Sequence, residues 1–245
     1  MIGSCERRSR MIDREIVRVK VWGDLACFTR PETKVERLSY PVMTPSAARG
    51  ILEAILWKPQ FRWYVRRIIV LRPIRYVSVR RNEVQDTISH QAVRQWMNDP
   101  QSFVPYFADS AGREGFQGEH RTQRNTLALR DVAYIIEASV EQPDGFSQPD
   151  PPIKYREMFE RRVAKGQRFQ QPYLGLREYA ACFAPPDGTE RPADELAASV
   201  VDLGWMLFDI DYSSKPHRPL FAPAQLQRGE LDVEAMRQRV VHHDR

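Results

Sequence analysis

The chain has 245 residues, 42% of them hydrophobic, which excludes a wholly disordered protein and allows one large domain or a domain with a small appendage. No apolar run approaches the roughly 20 residues of a membrane helix, and no apolar stretch follows the basic N-terminus as in a secretory signal, so we predict a cytoplasmic protein. The formal net charge is +5, and only six of the 37 basic residues are lysine.

The arginine excess favours a polyanionic partner, because a guanidinium group grips phosphate with two hydrogen bonds and stacks on bases. A GC-rich genome is the alternative reason for a high arginine count. That alternative explains clustering of the arginines less well.

The N-terminal part predicts a strand followed by a helix. Residues 1–11 are expected to be a disordered extension. Residues 16–21 alternate valine with arginine or lysine, which indicates a half-buried strand. Thr44 and Pro45 are typical of a helix start, and apolar residues then recur at helical spacing up to Leu56.

A long β region is predicted next, over residues 63–79 with an interruption at Pro73. Residues 91–97 form a short helical candidate. The three glycines within residues 109–118 predict a mobile loop.

The remaining pattern completes a known arrangement of elements. A strand is predicted over residues 126–140, a helix over 153–165 closed by Gly166, and a strand over 177–183. The order β-α-β-β-α-β predicts an α+β, ferredoxin-like domain of the RNA-recognition type over residues 12–184.

The C-terminal part is predicted to be separate from this domain. Residues 185–197 are a linker rich in proline and charge. Residues 198–236 predict a small antiparallel β-sheet domain, and residues 237–245 a polar tail. The three cysteines are scattered along the chain, so we expect buried thiols rather than disulfides.

No metal or nucleotide motif is present in the sequence. There is no CxxC, no HExxH and no glycine-rich phosphate loop, so we predict no metal site and no cofactor. Chemistry on RNA needs neither, because RNA carries its own nucleophile in the 2′-hydroxyl beside each phosphate.

The stretch from Glu119 to Arg124 is the predicted centre of that chemistry. His120 is a candidate acid or base, and Arg121 and Arg124 are candidates for stabilising the phosphate. The alternative is that His120 is a solvated loop residue in a charged run. Tyr40, just before the first helix, is a second acid–base candidate, although a tyrosine at such a position is more often structural.

A second basic cluster interleaves arginines with Trp63, Tyr64 and Tyr76, a composition that suits base stacking with phosphate contact. The alternative is an amphipathic strand whose aromatic residues are core and whose arginines are merely solvated. The predicted RNA-binding residues are Arg62, Arg66, Arg67, Arg75, Arg80 and Arg81.

Several segments, in this order along residues 15 to 235, resemble the CRISPR-associated Cas-five family in its type I-C (Dvulg) subtype. No single segment is specific, but together they are. They comprise residues 26–31 (ACFTRP), 39–42 (SYPV), 50–59 (GILEAILWKP), 124–131 (RNTLALRD), 173–178 (YLGLRE) and 202–209 (DLGWMLFD).

The resemblance implies a ferredoxin-like N-terminal domain and a small β-sheet C-terminal domain. It also implies a metal-independent endoribonuclease that cuts CRISPR repeat transcripts and then holds the 5′ handle of the guide RNA. The implied partners are repeat RNA, the backbone and large subunits of the interference complex, and double-stranded DNA. A non-catalytic assembly subunit is the alternative.

The sequence departs from the family pattern at the catalytic positions. Relatives use a tyrosine before the first helix, and Pro45 aligns there, with Tyr40 nearby. Relatives also use a Lys-His pair, which residues 115–130 lack. His120 and the neighbouring arginines are therefore predicted to take over that role.

Overall fold

The structure is a computed structural model that describes residues 16–33, 35–103, 121–141, 151–213 and 215–242. The predicted extension at 1–11, the predicted loop at 109–118 and the last residues of the predicted tail lie outside these ranges. Among the described residues, no helix is both long and apolar enough to span a membrane.

The strands and helices are numbered in chain order. The helices are α1 (Pro45–Ile55), α2 (His90–Asn98), α3 (Pro152–Ala164), α4 (Asp194–Ala197) and α5 (Val233–Arg237). The strands are β1 (Val17–Ala26), β2 (Arg37–Leu38), β3 (Arg62–Val70), β4 (Tyr76–Val84), β5 (Arg121–Glu141), β6 (Cys182–Ala184), β7 (Val200–Asp211), β8 (Arg218–Gln227), β9 (Glu230–Asp232) and β10 (Val241–His242).

These elements make a mixed α and β fold around one curled, largely antiparallel sheet. The strand order is β6-β1-β5-β3-β9-β8-β10, with β2 and β4 also paired to β5 and β7 paired to β8. The alternating valines of β1 point into the core, where they meet the apolar sides of α1 and α3.

The residues predicted to begin α1 and to follow the end of α3 are confirmed in those roles. The side chain of Thr44 accepts a hydrogen bond from the backbone N–H of Ala47, and Pro45 is the first helical residue of α1. Gly166, just after the C-terminal end of α3, has a φ of +63°, a value that favours glycine after a helix.

Two strand predictions need correction. The strand predicted from residue 126 begins at Arg121, because its charged first residues pair with β4 outside the core. The strand predicted at 177–183 is reduced to β6, because the preceding residues form a tight turn. In that turn Leu174 accepts a hydrogen bond from Cys27 N at 3.0 Å, and Gly175 has a φ of +86°.

The two cysteines that the structure describes are free thiols, but only one of them is buried. Cys27 is buried, as predicted, whereas Cys182 is exposed, because the strand that was expected to bury it is short and lies at the edge of the sheet. Cys5 lies outside the described residues.

The strands after residue 198 are hydrogen-bonded to the main sheet through β9. The short strand β9 pairs with β3 on one side and β8 on the other. Buried residues from β7 and β8 belong to the same apolar cluster as those of β1 and β5.

Residues 190–193 cross part of the sheet face opposite α1 and α3. Glu190 forms an ion pair with Lys20 of β1 at 3.2 Å, and the backbone N–H of Ala193 donates to Val70 of β3 at 3.1 Å. Since β5 lies between those two strands, residues 190–193 cross over Ile135, which is buried on that face.

Candidate nucleic-acid interface

The strands β4 and the first part of β5 form a two-stranded ribbon with two distinct faces. Residues directly opposite in an antiparallel pair point to the same side, and successive residues alternate. We call one side the Arg80 face and the other the Arg81 face. The Arg80 face carries Tyr76, Ser78, Arg80, Asn82, Arg121, Gln123 and Asn125, and the Arg81 face carries Arg81, Glu83, Thr122, Arg124 and Thr126.

The Arg80 face is polar, with every residue that β4 contributes exposed. Its amides are ordered by hydrogen bonds, from Ser78 to Asn125 at 2.8 Å and from Gln123 to Asn82 at 3.4 Å. No ion pair or hydrogen bond of the Arg80 or Arg121 side chain is found within the described part of the chain. Within that part of the chain, both guanidinium groups are therefore available to a phosphate.

The Arg81 face differs, because its arginines are already paired. Arg37, on β2, bonds to Glu83 at 2.6 Å, and Arg124 approaches the same carboxylate at 3.6 Å. Arg81 forms a two-pronged pair with Glu178, one contact of which is 2.6 Å long. Arg121 and Arg124 were predicted to act together, but they lie on opposite faces because they are three positions apart on the strand.

Tyr40 is placed in the core and away from the ribbon tip. It is 1% exposed, and its hydroxyl oxygen accepts a hydrogen bond from the backbone N–H of Leu207 at 3.2 Å. Burial raises the pKa of this phenol above its ordinary value. The neighbouring Leu38 pairs with Leu127, about 20 Å along β5 from Arg121. His120 lies outside the described residues.

The predicted RNA-binding arginines fall into two groups along β5, one on β3 and one on or just before β4. Arg62 is in register with Glu141, whereas Arg81 is in register with Arg124. Those two positions are about 55 Å apart along the strand. The sequence cluster from Arg62 to Arg81 is therefore not one surface.

In the first group, Arg66 and Arg67 are engaged by neighbouring side chains. Arg66 donates to Ser139 at 3.0 Å and to Glu234 at 3.2 Å. Arg67 donates to Glu230 at 2.9 Å. In the second group, Arg75 is exposed just before β4.

The interpretation of core aromatics with solvated arginines holds for Trp63, which is buried, but not for the exposed Tyr76.

A cleft of about 770 Å³ lies where the end of α1 and the start of β3 meet the end of β7. Trp57 on its rim is 56% exposed. Arg62 also lines it, and Arg237 lies 3.7 Å from the ring centre of Tyr64. Sequence reasoning missed this cleft because residues 57–59, directly after the predicted helix, were considered only for their family resemblance. The tryptophan among them was the available signal.

Within the described ranges, no group of three or more His, Cys, Asp or Glu residues is arranged to hold a metal ion.

The chain matches the model of the family described as CRISPR-associated protein (Cas_Cas5) over residues 16–234, and it belongs to that family. It is 46% identical over 220 residues to a protein of Mannheimia succiniciproducens named CRISPR pre-crRNA endoribonuclease Cas5d, covering 89% of this chain and 94% of that one. A Thermus thermophilus protein of the same name is also 46% identical over 220 residues, covering 90% of this chain and 84% of that one.

Solved structures agree on the fold. A structure described as a CRISPR-associated protein superimposes with a TM-score of 0.64 at 22% identity, covering 94% of this chain and 96% of the other.

Proposed function

We propose that this chain is an endoribonuclease that cuts CRISPR repeat transcripts and then stays bound to the 5′ handle of the guide RNA in the type I-C interference complex. The observation that carries this proposal is the 46% identity, over nearly the whole chain, to two proteins named as pre-crRNA endoribonucleases. The free arginines on the Arg80 face supply a surface for the RNA backbone.

The strand order supports a ferredoxin-like core of the RNA-recognition type over residues 12–184. In that arrangement four antiparallel strands are ordered 4-1-3-2, which corresponds to β6-β1-β5-β3 here. Residues 198–236 would then be the small β-sheet domain that packs on it. RNA-recognition modules stack bases on the open face of the sheet. Residues 190–193 cross part of that face here, and we place the RNA backbone on the ribbon.

The proposed reaction uses the 2′-hydroxyl of the RNA as nucleophile. His120 removes its proton, or protonates the leaving 5′-oxygen, and Arg121, the next residue along the chain, neutralises charge on the phosphate in the transition state. The products are a 2′,3′-cyclic phosphate and a 5′-hydroxyl. None of these steps requires a metal ion.

The deciding experiment is cleavage of the repeat hairpin encoded beside this gene, with and without EDTA, with both product ends mapped. We expect the same rate in EDTA and a cyclic phosphate on the upstream product. Loss of cleavage in EDTA, restored by a divalent metal, would contradict the metal-free chemistry. A hairpin of unrelated sequence is the control for specificity.

Variants at the two acid–base candidates separate chemistry from folding. We expect His120→Ala to lower the cleavage rate at least a hundredfold without changing the free energy of unfolding. We expect Tyr40→Phe to lower the free energy of unfolding by about 1 kcal/mol, because the half-buried N–H of Leu207 loses its acceptor. If His120→Ala cuts at the normal rate, His120 is not catalytic.

A non-catalytic assembly subunit that also binds duplex DNA is the second candidate. The observation that favours it is the distance between Tyr40, which is buried in the core, and Arg121 at the start of β5. That distance keeps these two predicted catalytic residues apart. It predicts that the wild-type protein binds the repeat without cutting it. It also predicts that duplex DNA competes with the repeat for binding at equal salt.

A further inference from the structure

The Arg81 face of the ribbon holds a cluster of charged side chains around Glu178. The Glu178 carboxylate accepts hydrogen bonds from both terminal nitrogens of the Arg81 guanidinium group. This hydrogen bonding, together with the positive charges of Arg81 and Arg37, lowers the pKa of Glu178 below its ordinary value. A two-pronged contact of this kind is also how arginine binds phosphate.

The cluster contains buried polar atoms that have no hydrogen-bond partner among the described residues. They are Nε of Arg81, the hydroxyl of Tyr179 and the hydroxyl of Thr126. Tyr179 is 8% exposed and Thr126 1%. Each of these three groups can donate a hydrogen bond. Unused donors beside arginines suit an anionic ligand.

The charges leave a positive excess on this face. Arg37, Arg81 and Arg124 share the two carboxylates of Glu83 and Glu178. Tyr179 directly follows Glu178, and its pKa is raised by burial, an effect that the positive charge of Arg81 partly offsets. A phosphate in the position of the Glu178 carboxylate would therefore meet Arg81, with Arg37 and the Tyr179 hydroxyl nearby.

We propose that Arg81, Arg37 and Tyr179 form a phosphate-binding site that the Glu178 carboxylate occupies in the free protein and that a backbone phosphate of RNA takes over on binding. This inference rests on the proposed function. It adds a second contact surface on the ribbon, opposite to the free arginines of the Arg80 face. Exchange of one anion for the other keeps Arg81 paired in both states.

The first test is Glu178→Gln, which removes the competing charge and keeps the shape of the side chain. We expect this variant to bind a non-cleaved repeat RNA about fivefold more tightly than wild type. Asp131→Asn is the matched control, because it also removes one negative charge and one exposed arginine–carboxylate pair from β5. The control separates a local effect from a general change in net charge.

The second test is Tyr179→Phe, which removes a hydroxyl that has no hydrogen-bond partner among the described residues. We expect weaker RNA binding with no loss of stability. A purely structural role for this hydroxyl predicts the reverse, a lower free energy of unfolding with unchanged RNA affinity. Since Tyr179→Phe conserves the ring, it stays informative even if Glu178→Gln impairs folding.

The third test adds Arg81→Gln to the Glu178→Gln variant. We expect the gain in affinity to disappear in the double variant, because Arg81 is the group that the change releases. Equal affinities of wild type and folded Glu178→Gln would overturn this site and leave the proposed function intact. Failure of wild type to bind the repeat RNA at all would overturn the proposed function itself.

Discussion

Glycine is required at position 175 both by its backbone conformation and by its surroundings. Its φ is +86°, and a Cβ at this position would lie 1.9 Å from the carbonyl oxygen of Cys27. The turn can follow β1 this closely only because residue 175 has no side chain. Glu178 comes from the same turn, so the geometry of the Arg81 pair depends on this glycine.

We expect Gly175→Ala to lower the free energy of unfolding by about 3 kcal/mol or more, since it adds a backbone clash to the strain of a positive φ. Gly188→Ala is the matched control. Gly188 also has a φ of +86°, but nothing lies within 4 Å of the added Cβ. The control should therefore lose only about 1–2 kcal/mol, measured by denaturant unfolding. Equal losses would show that the contact with Cys27 is unimportant.

At the level of elements, the ribbon shows what the sequence could and could not predict. The alternating valines of β1 and the Thr-Pro start of α1 carry local signals, and both elements were predicted to begin within one residue of where they do, although β1 runs on past residue 21 to Ala26. The first residues of β5 carry no such signal, because their partner is the polar strand β4 rather than the core. The turn at 173–180 also escaped prediction, because it depends on contacts with the distant Cys27.

The candidate site was predicted less completely for a related reason. Sequence spacing tells which residues share a face only after the bounds of a strand are known. Arg121 and Arg124 were therefore grouped together although they lie on opposite faces. Arg62 and Arg81 were grouped because they are close in sequence, but the register places them toward opposite ends of β5.

The Arg80 face makes a quantitative prediction about salt. Replacing both Arg80 and Arg121 by Gln should weaken repeat-RNA binding, because two unpaired phosphate contacts are lost. The slope of log affinity against log salt concentration should fall in magnitude by about 1.4 to 1.8. Arg228→Gln, which changes an exposed arginine at the turn between β8 and β9, should leave the slope unchanged. An unchanged slope in the double variant would assign these arginines to a solvated face.

On the scale of the whole molecule, β9 links the two parts of the sheet. Its central residue Leu231 is fully buried and is in register with Ile68 of β3 and Leu226 of β8. The strands after residue 198 therefore cannot separate from the main sheet without breaking this link. We infer that the sheet unfolds as one cooperative unit.

Leu231→Ala tests this inference. We expect it to cost about 2–5 kcal/mol and to lower the midpoint of a single calorimetric transition, with equal calorimetric and van't Hoff enthalpies. Val200→Ala, at an exposed site on β7, should change the stability by no more than about 0.5 kcal/mol. Two separate transitions in the wild-type protein would contradict the inference.

The length of β5 has a consequence for hydrogen exchange. Residues 134–138 have a hydrogen-bonded strand on each side, β1 and β3, whereas residues 121–125 pair with β4 alone among the strands that the structure describes. Amide protons in the first stretch should exchange only when the whole protein unfolds, and those in the second should exchange through local opening of the ribbon. One continuous strand thus joins a slowly exchanging centre to a fast-exchanging arm, and bound RNA should slow exchange chiefly in the arm.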